Sequence, residues 1–207
     1  MKLYLLRHGE SEANVAGVIN DDPGKSVILT ARGQNQARVA AAGLAGISFA
    51  AVYASRFPRA RQTAELILQS LSLPQDVIVD AGLDERRSGL DGQPVEAFNG
   101  LVRTDVLYAR PACGETFVEQ MQRVRSFMDV LAHRYPPDTE VNILAVSHEN
   151  PIQAALACVE EDEAAWLRIA HTLIPNCAWR VLNWPPGKRF SLGAESSTPE
   201  PCRQVLL

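Results

Sequence analysis

The 207-residue chain lacks the features that mark membrane proteins, disulfide-rich proteins and nucleic-acid-binding proteins. No apolar run approaches the roughly 18 residues that a spanning helix needs, and the apolar stretch before Arg7 is too short for a signal peptide. The four cysteines form no Cys-x-x-Cys pair, which favours reduced, buried thiols in a cytoplasmic protein and leaves disulfides unsupported. A net charge of -4 without a dense basic run argues against a nucleic-acid partner.

Metal-site spacings and long repeats are also missing. The sequence has no HExxH motif and no paired aspartate cluster, so we expect neither a metal nor another cofactor. It has no repeat of solenoid length. With 46% hydrophobic residues, the chain can bury one sizeable core. We therefore predict a single domain over residues 1–183, followed by a loosely held tail, 184–207, rich in proline, glycine and serine.

Short apolar runs alternate with helical patterns along the chain. The apolar runs predict strands over residues 3–6, 52–54, 77–79, 141–146 and 177–182. The helical patterns start at a Thr30 cap and near Arg59, and they recur over 117–131, before Pro136 and Pro137, and over 152–158. Strands separated by helices indicate an α/β fold, a three-layer sandwich whose mostly parallel central sheet is flanked by helices.

Polar side chains follow three of the predicted strands. Arg7 and His8 follow the first strand, Ser55 follows the second, and Ser147 and His148 follow the strand that ends at residue 146. The carboxyl ends of parallel strands meet at one edge of a sheet, where such folds bind ligands. We therefore expect two histidines and several arginines to meet in one site.

These residue types suit phosphoryl transfer. A neutral imidazole is a nucleophile near pH 7, which makes His8 a candidate to accept a phosphoryl group. The planar guanidinium of arginine matches phosphate oxygens, so Arg7 and Arg59 are candidates to hold the group in flight. His148 would add a donor when protonated, and a protonated carboxyl group would serve the leaving oxygen.

Six ordered blocks of the sequence resemble those of the histidine phosphatase superfamily, which includes the phosphoglycerate mutases. The first block is the run Leu6-Arg7-His8-Gly9-Glu10-Ser11-Glu12-Ala13-Asn14. The others lie at residues 29–37, 55–64, 83–92, 114–116 and 146–148. The resemblance covers about residues 3 to 182, and it implies a phosphoglycerate mutase-like fold. It also implies a phosphoric monoester hydrolase of the histidine acid phosphatase type.

The resemblance implies a role for each matching position. His8 would be the phosphorylated nucleophile, and the phosphate would be held by Arg7, Arg59 and His148. Glu85 would be the general acid and then the base for water, with Asp84 and Asp91 as close rivals. Asn14 would either contact the phosphoryl oxygens or only cap the first helix.

One position departs from the family's pattern. The family usually has glycine after its second histidine, whereas Glu149 follows His148 here. A carboxylate there could raise the pKa of His148 and keep it cationic, or it could repel an anionic substrate. Repulsion of the substrate would favour the alternative that this chain is a weakly active member that binds phosphorylated ligands.

The span after the acid block favours the phosphatase branch. In phosphoglycerate mutases a long insertion follows that block and grips the substrate, whereas here only residues 86–113 precede Gly114. We expect this span to cap the site with an apolar surface from residues 98, 101, 102 and 106–108, and with Arg103 and Arg110 near a second acidic group. The expected partner is a small phosphorylated metabolite, with neither nucleic acid nor membrane involved. A homodimer and mutase-type transfer stay open.

Overall fold

The computed structural model describes residues 1–135, 139–184 and 191–193. Within them, six strands form one sheet in the order β3-β2-β4-β1-β5-β6. The strands are β1 (Lys2–Arg7), β2 (Phe49–Ala54), β3 (Val77–Val79), β4 (Asn142–Ser147), β5 (Trp179–Asn183) and β6 (Ser191–Leu192). The first four run parallel, and β5 and β6 are antiparallel to their neighbours. The mostly parallel sheet expected from the sequence is confirmed.

Helices cover both faces of this sheet. They are α1 (Glu12–Ala16), α2 (Ala31–Gly43), α3 (Pro58–Leu71), α4 (Val95–Val102), α5 (Phe117–Arg134), α6 (Glu149–Ala157) and α7 (Glu163–Ala170). Strand β4 shows the layering, because Ile143 and Ala145 pack with α5 and α6 while Leu144 and Val146 pack with α2 and α3. The three-layer α/β sandwich is therefore confirmed.

The sequence patterns located five strands and four long helices. The short helices α1 and α4 were not predicted, because five to eight residues give too little periodicity. The prolines expected to end α5 lie outside the described residues, and α5 ends at Arg134. The tail prediction needs correction at one place, because β6 pairs with β5. Trp184 also donates its backbone N–H to the Met1 carbonyl at 2.9 Å.

Three cysteines are free thiols. Cys158 and Cys177 are buried, as expected, and burial raises their pKa values to about 11 and about 12. Cys113 is exposed, which corrects the expectation of buried thiols throughout, and Cys202 lies outside the described residues. None of the helices in the described part of the chain is both long and apolar enough to cross a membrane.

Candidate active site

His8 leaves the carboxyl end of β1 next to the end of β4. Its backbone N–H donates to the Ser147 carbonyl at 2.9 Å, and its ring is almost fully buried. The chain turns at Gly9, whose backbone packs directly on Gly33 of α2. A Cβ atom on Gly9 would lie 2.4 Å from the Gly33 carbonyl oxygen, so this approach requires glycine. The first two sequence blocks are therefore in contact.

The contacts of the His8 ring define its tautomer. Nδ1 lies 2.6 Å from the Gly9 carbonyl oxygen, so it carries the proton and donates it. Nε2 then holds a lone pair, which accepts the Nε–H of Arg59 at 3.1 Å. Burial and then the charges of Arg59 and Arg7 hold the pKa of His8 well below its ordinary value. His8 is thus neutral, and its Nε2 lone pair is bound by Arg59.

Arg59, in the first turn of α3, joins three parts of the site. Its Nε donates to His8, its Nη1 to the Asn20 side chain, and its Nη2 to the Asn20 carbonyl at 3.2 Å and His148 Nδ1 at 3.1 Å. Burial lowers the pKa of Arg59 only to about 10, so the guanidinium stays charged at neutral pH. The side chain is 4% exposed. A rigid buried cation therefore borders both histidines.

His148 is fully buried at the end of β4. Its Nε2 donates to Ser55 Oγ at 2.7 Å, and that hydroxyl donates to Asp84 Oδ1 at 3.3 Å. Burial, followed by the charge of Arg59, lowers the pKa of His148 well below its ordinary value. His148 is therefore neutral, so of the two effects considered for Glu149, a cationic His148 is not the one found.

Arg7 pairs with Glu149 and keeps one buried donor without a partner in the described part of the chain. Its Nη1 donates to the Ile174 carbonyl at 2.5 Å and pairs with Glu149 Oε2 at 3.0 Å. Its Nε is buried and lacks a hydrogen-bond partner within the described residues. A buried donor left without an acceptor is costly, which makes Arg7 a candidate to bind an anionic group.

Glu85 lies in the same cavity with its side chain 21% exposed, and Oε2 is 3.9 Å from His148 Nδ1. Burial raises the pKa of this carboxyl group, which favours its protonated form. The two rival aspartates are held by other groups. Asp84 forms a bidentate pair with Arg56, and Asp91 is bound by Lys25 and Asn20.

Asn14 caps the first helix, one of the two alternatives left open by the sequence. Its Oδ1 accepts the backbone N–H of Ser11 at 3.0 Å in a capping box at the start of α1. The same residue lines the cavity beside His8. Arg61, His133 and His171 are exposed, as expected for residues outside the site.

The cavity has a volume of about 160 Å³. Its lining includes all the predicted site residues except His148, which lies behind Arg59. Of the apolar residues expected in the cap, Phe98 alone is in this lining, and Val102 and Leu107 belong to buried packing instead. Arg103 and Arg110 are not in it either, and Arg110 pairs with Glu119.

Sequence reasoning missed three polar features of the site. Asn20 stands in no family block and had no signal, yet it holds Arg59. Ser55 is the first residue of its family block and follows a predicted strand. That position was a signal for a site residue, but its hydrogen bond to His148 was not predicted. Glu149 was noticed, but its pairing with Arg7 was not foreseen. In the part of the chain that the structure describes, no group of three or more His, Cys, Asp or Glu side chains is placed to hold a metal ion.

The chain belongs to the histidine phosphatase superfamily. The sequence model of the histidine phosphatase superfamily (branch 1) matches residues 3–194. The resemblance stated from the six blocks is confirmed over almost the whole described chain.

Both branches of activity occur among its relatives. The chain is 31% identical over 199 residues to a 2,3-bisphosphoglycerate-dependent phosphoglycerate mutase of Thermoplasma acidophilum, covering 94% of this chain and 92% of the relative. It is 34% identical over 191 residues to the adenosylcobalamin/alpha-ribazole phosphatase of Escherichia coli, covering 88% and 90%. The crystal structure of the alpha-ribazole phosphatase from Shigella flexneri superposes with a TM-score of 0.80 at 27% identity, covering 95% and 96%.

Proposed function

We propose that this protein hydrolyses monophosphate esters of small metabolites through a phosphohistidine formed on His8. The observation that carries the proposal is the neutral His8 ring. Its Nε2 lone pair accepts a hydrogen bond from Arg59, and Arg7 and Arg59 both line the cavity beside it. This arrangement supports a nucleophile flanked by two cations that could bind the phosphoryl group.

In the first step, His8 Nε2 attacks phosphorus and the bond from phosphorus to the ester oxygen breaks. Arg59 moves its Nε–H from His8 to a phosphoryl oxygen, and Arg7 supplies its free Nε–H to another. Glu85 gives its proton to the leaving alkoxide, which departs as an alcohol. The raised pKa of Glu85 keeps that proton available.

In the second step, water attacks the phosphorus of phosphohistidine. The Glu85 carboxylate, left ionised by the first step, takes a proton from the water, and the bond between phosphorus and Nε2 breaks. Inorganic phosphate leaves, and His8 returns to its neutral form. The assignment to the histidine acid phosphatase type is part of this proposal, as are the cap over residues 86–113 and the cytoplasmic location.

A mutase must return the phosphoryl group to a sugar acid, so the two activities separate in one assay. We expect steady phosphate release from p-nitrophenyl phosphate, unaffected by a chelator, and no 2-phosphoglycerate from 3-phosphoglycerate. Formation of the 2-isomer would identify a mutase instead. Phosphate-ester binding without turnover across a broad ester panel would identify a weakly active binding member.

Replacing Glu85 with glutamine tests the acid role through the leaving group. For glycerol 3-phosphate, whose alkoxide needs a proton, we expect kcat/KM to fall by about 10²-fold or more. For p-nitrophenyl phosphate, whose phenolate leaves unprotonated, the fall should be under about 10-fold. Wild-type kcat/KM for the alkyl ester should also decline as pH rises through the raised pKa of Glu85, and E85Q should lack this decline.

The rival carboxylate provides the control. Asp91 binds Asn20 and so supports Arg59 from outside the cavity. D91N should therefore change kcat/KM for both esters by the same factor. A leaving-group dependence in D91N, together with none in E85Q, would transfer the acid role to Asp91.

A further inference from the structure

Glu149 places a fixed negative charge inside the phosphate site. It is the first residue of α6, and both of its oxygens are held. Oε2 pairs with Arg7 Nη1 at 3.0 Å, and Oε1 accepts the backbone N–H of Ile174 at 2.9 Å. The side chain is 20% exposed and lines the cavity. An incoming phosphate must therefore share Arg7 with a carboxylate that does not move away freely.

The cavity offers little to a second anionic group on the substrate. Arg7, Arg59 and Arg86 are the arginines and lysines among its described lining residues, and the first two border His8. Arg86 is 3% exposed, and each of its three guanidinium nitrogens donates to a backbone carbonyl, those of Glu115, Val106 and Ala109. Three of the five N–H groups of Arg86 are therefore taken by backbone carbonyls, and the buried side chain offers little to a carboxylate or a second phosphate.

Four apolar residues also line the cavity. Val18 and Ile19 lie in a segment that is hydrogen-bonded to residues 93–95, next to Val95 and Phe98 of α4. The guanidinium of Arg86 lies 5.1 Å from the centre of the Phe98 ring, which holds the ring in place. An uncharged alcohol with apolar surface would contact these residues without losing hydration of a charge.

We infer that Glu149 is a specificity-determining residue that rejects substrates with a second anionic group and selects phosphate monoesters of uncharged, partly apolar alcohols. The inference rests on the proposed hydrolysis at His8. The physical reason is a balance of charges. A dianionic phosphoryl group by itself matches the positive charges of Arg7 and Arg59, and the Glu149 carboxylate adds a negative charge beyond them. A further negative charge then meets repulsion with little positive charge left to offset it.

A matched pair of substrates tests this selection. Glycerol 3-phosphate and 3-phosphoglycerate differ in a hydroxymethyl group against a carboxylate. For the wild type we expect kcat/KM to be at least about 30-fold higher for the glycerol ester. In E149Q, which keeps the size of the side chain and removes its charge, that ratio should fall by about 10-fold. The change should come mainly from faster hydrolysis of 3-phosphoglycerate.

Glu96 supplies the control, because it is an exposed carboxylate beside the lining residue Val95 and is not itself in the lining. E96Q makes the same change in net charge and should leave the ratio unchanged. E149A removes the charge without placing a new amide beside Arg7. In E149A the ratio of the two kcat/KM values should fall as it does in E149Q. Thermal unfolding of each variant checks that it is folded.

The outcomes separate the two proposals. An unchanged ratio in both folded Glu149 variants, or a wild type that prefers 3-phosphoglycerate, would overturn the selection while leaving hydrolysis intact. Absence of phosphate release from either ester and from p-nitrophenyl phosphate would overturn the proposed function, and the selection with it.

Discussion

Replacing His8 with alanine is expected to lower kcat for p-nitrophenyl phosphate by at least about 10³-fold. The variant loses the lone pair that faces Arg59, and no other imidazole can replace it. His148 is fully buried and is not in the cavity lining, and its Nε2 donates to Ser55. Steady-state hydrolysis gives kcat, and rapid quenching with labelled substrate detects the acid-labile phosphoprotein, which should vanish in H8A.

His133 provides the matched control, because it is an exposed histidine on α5 far from the described cavity lining. H133A should keep both turnover and the phosphoprotein. An acid-labile label that persists in folded H8A would show that another residue accepts the phosphoryl group.

Replacing Arg59 with alanine should lower kcat/KM by about 10²- to 10³-fold, the range found when one donor to a developing anion is removed. The loss has two physical causes. The transferring phosphoryl group loses a buried cation, and the two histidines lose the donor that lies between them. Arg59 also holds Asn20, so the folded fraction is measured by thermal unfolding. Inhibition by inorganic phosphate should weaken in parallel, because the same guanidinium binds the product.

Two further variants isolate the geometry. R61A removes an exposed arginine two residues along the same helix and should leave kcat/KM within about 2-fold of wild type, as surface substitutions usually do. R59K keeps the charge but loses the planar fork, so it should recover only part of the activity. Full activity in R59K would mean that charge alone is needed. Unchanged activity in folded R59A would show that Arg59 does not hold the phosphoryl group during the reaction.

Glu149 departs from the family's pattern, and its contacts in the fold differ from those that its place in the sequence suggests. The sequence placed its carboxylate next to His148, and adjacency suggested an effect on that ring. In the fold, the side chain at the start of α6 points to Arg7 and Ile174 instead. Neighbours in sequence at a strand-to-helix turn point in different directions, so adjacency does not predict contact.

The choice of the general acid among three carboxylates also could not be made from the sequence. Asp84, Glu85 and Asp91 are close in sequence and chemically alike. The structure separates them by their partners, since Asp84 binds Arg56 and Asp91 binds Lys25 and Asn20. Those partners come from the segment between β2 and α3 and from the loop after α1, and no local pattern encodes these contacts. Only Glu85 is left lining the cavity with a raised pKa.

The α/β class, the strands and the meeting of Arg7 and His8 with Ser147 and His148 at one sheet edge could be predicted from the sequence. Those features follow from local hydrophobic patterns and from the rule that parallel strands end together. The tautomer of His8, the pairing of Arg7 with Glu149 and the unpartnered Nε–H of Arg7 could be read from the folded chain alone. Each depends on atoms brought together from distant segments, and burial then sets their charge states.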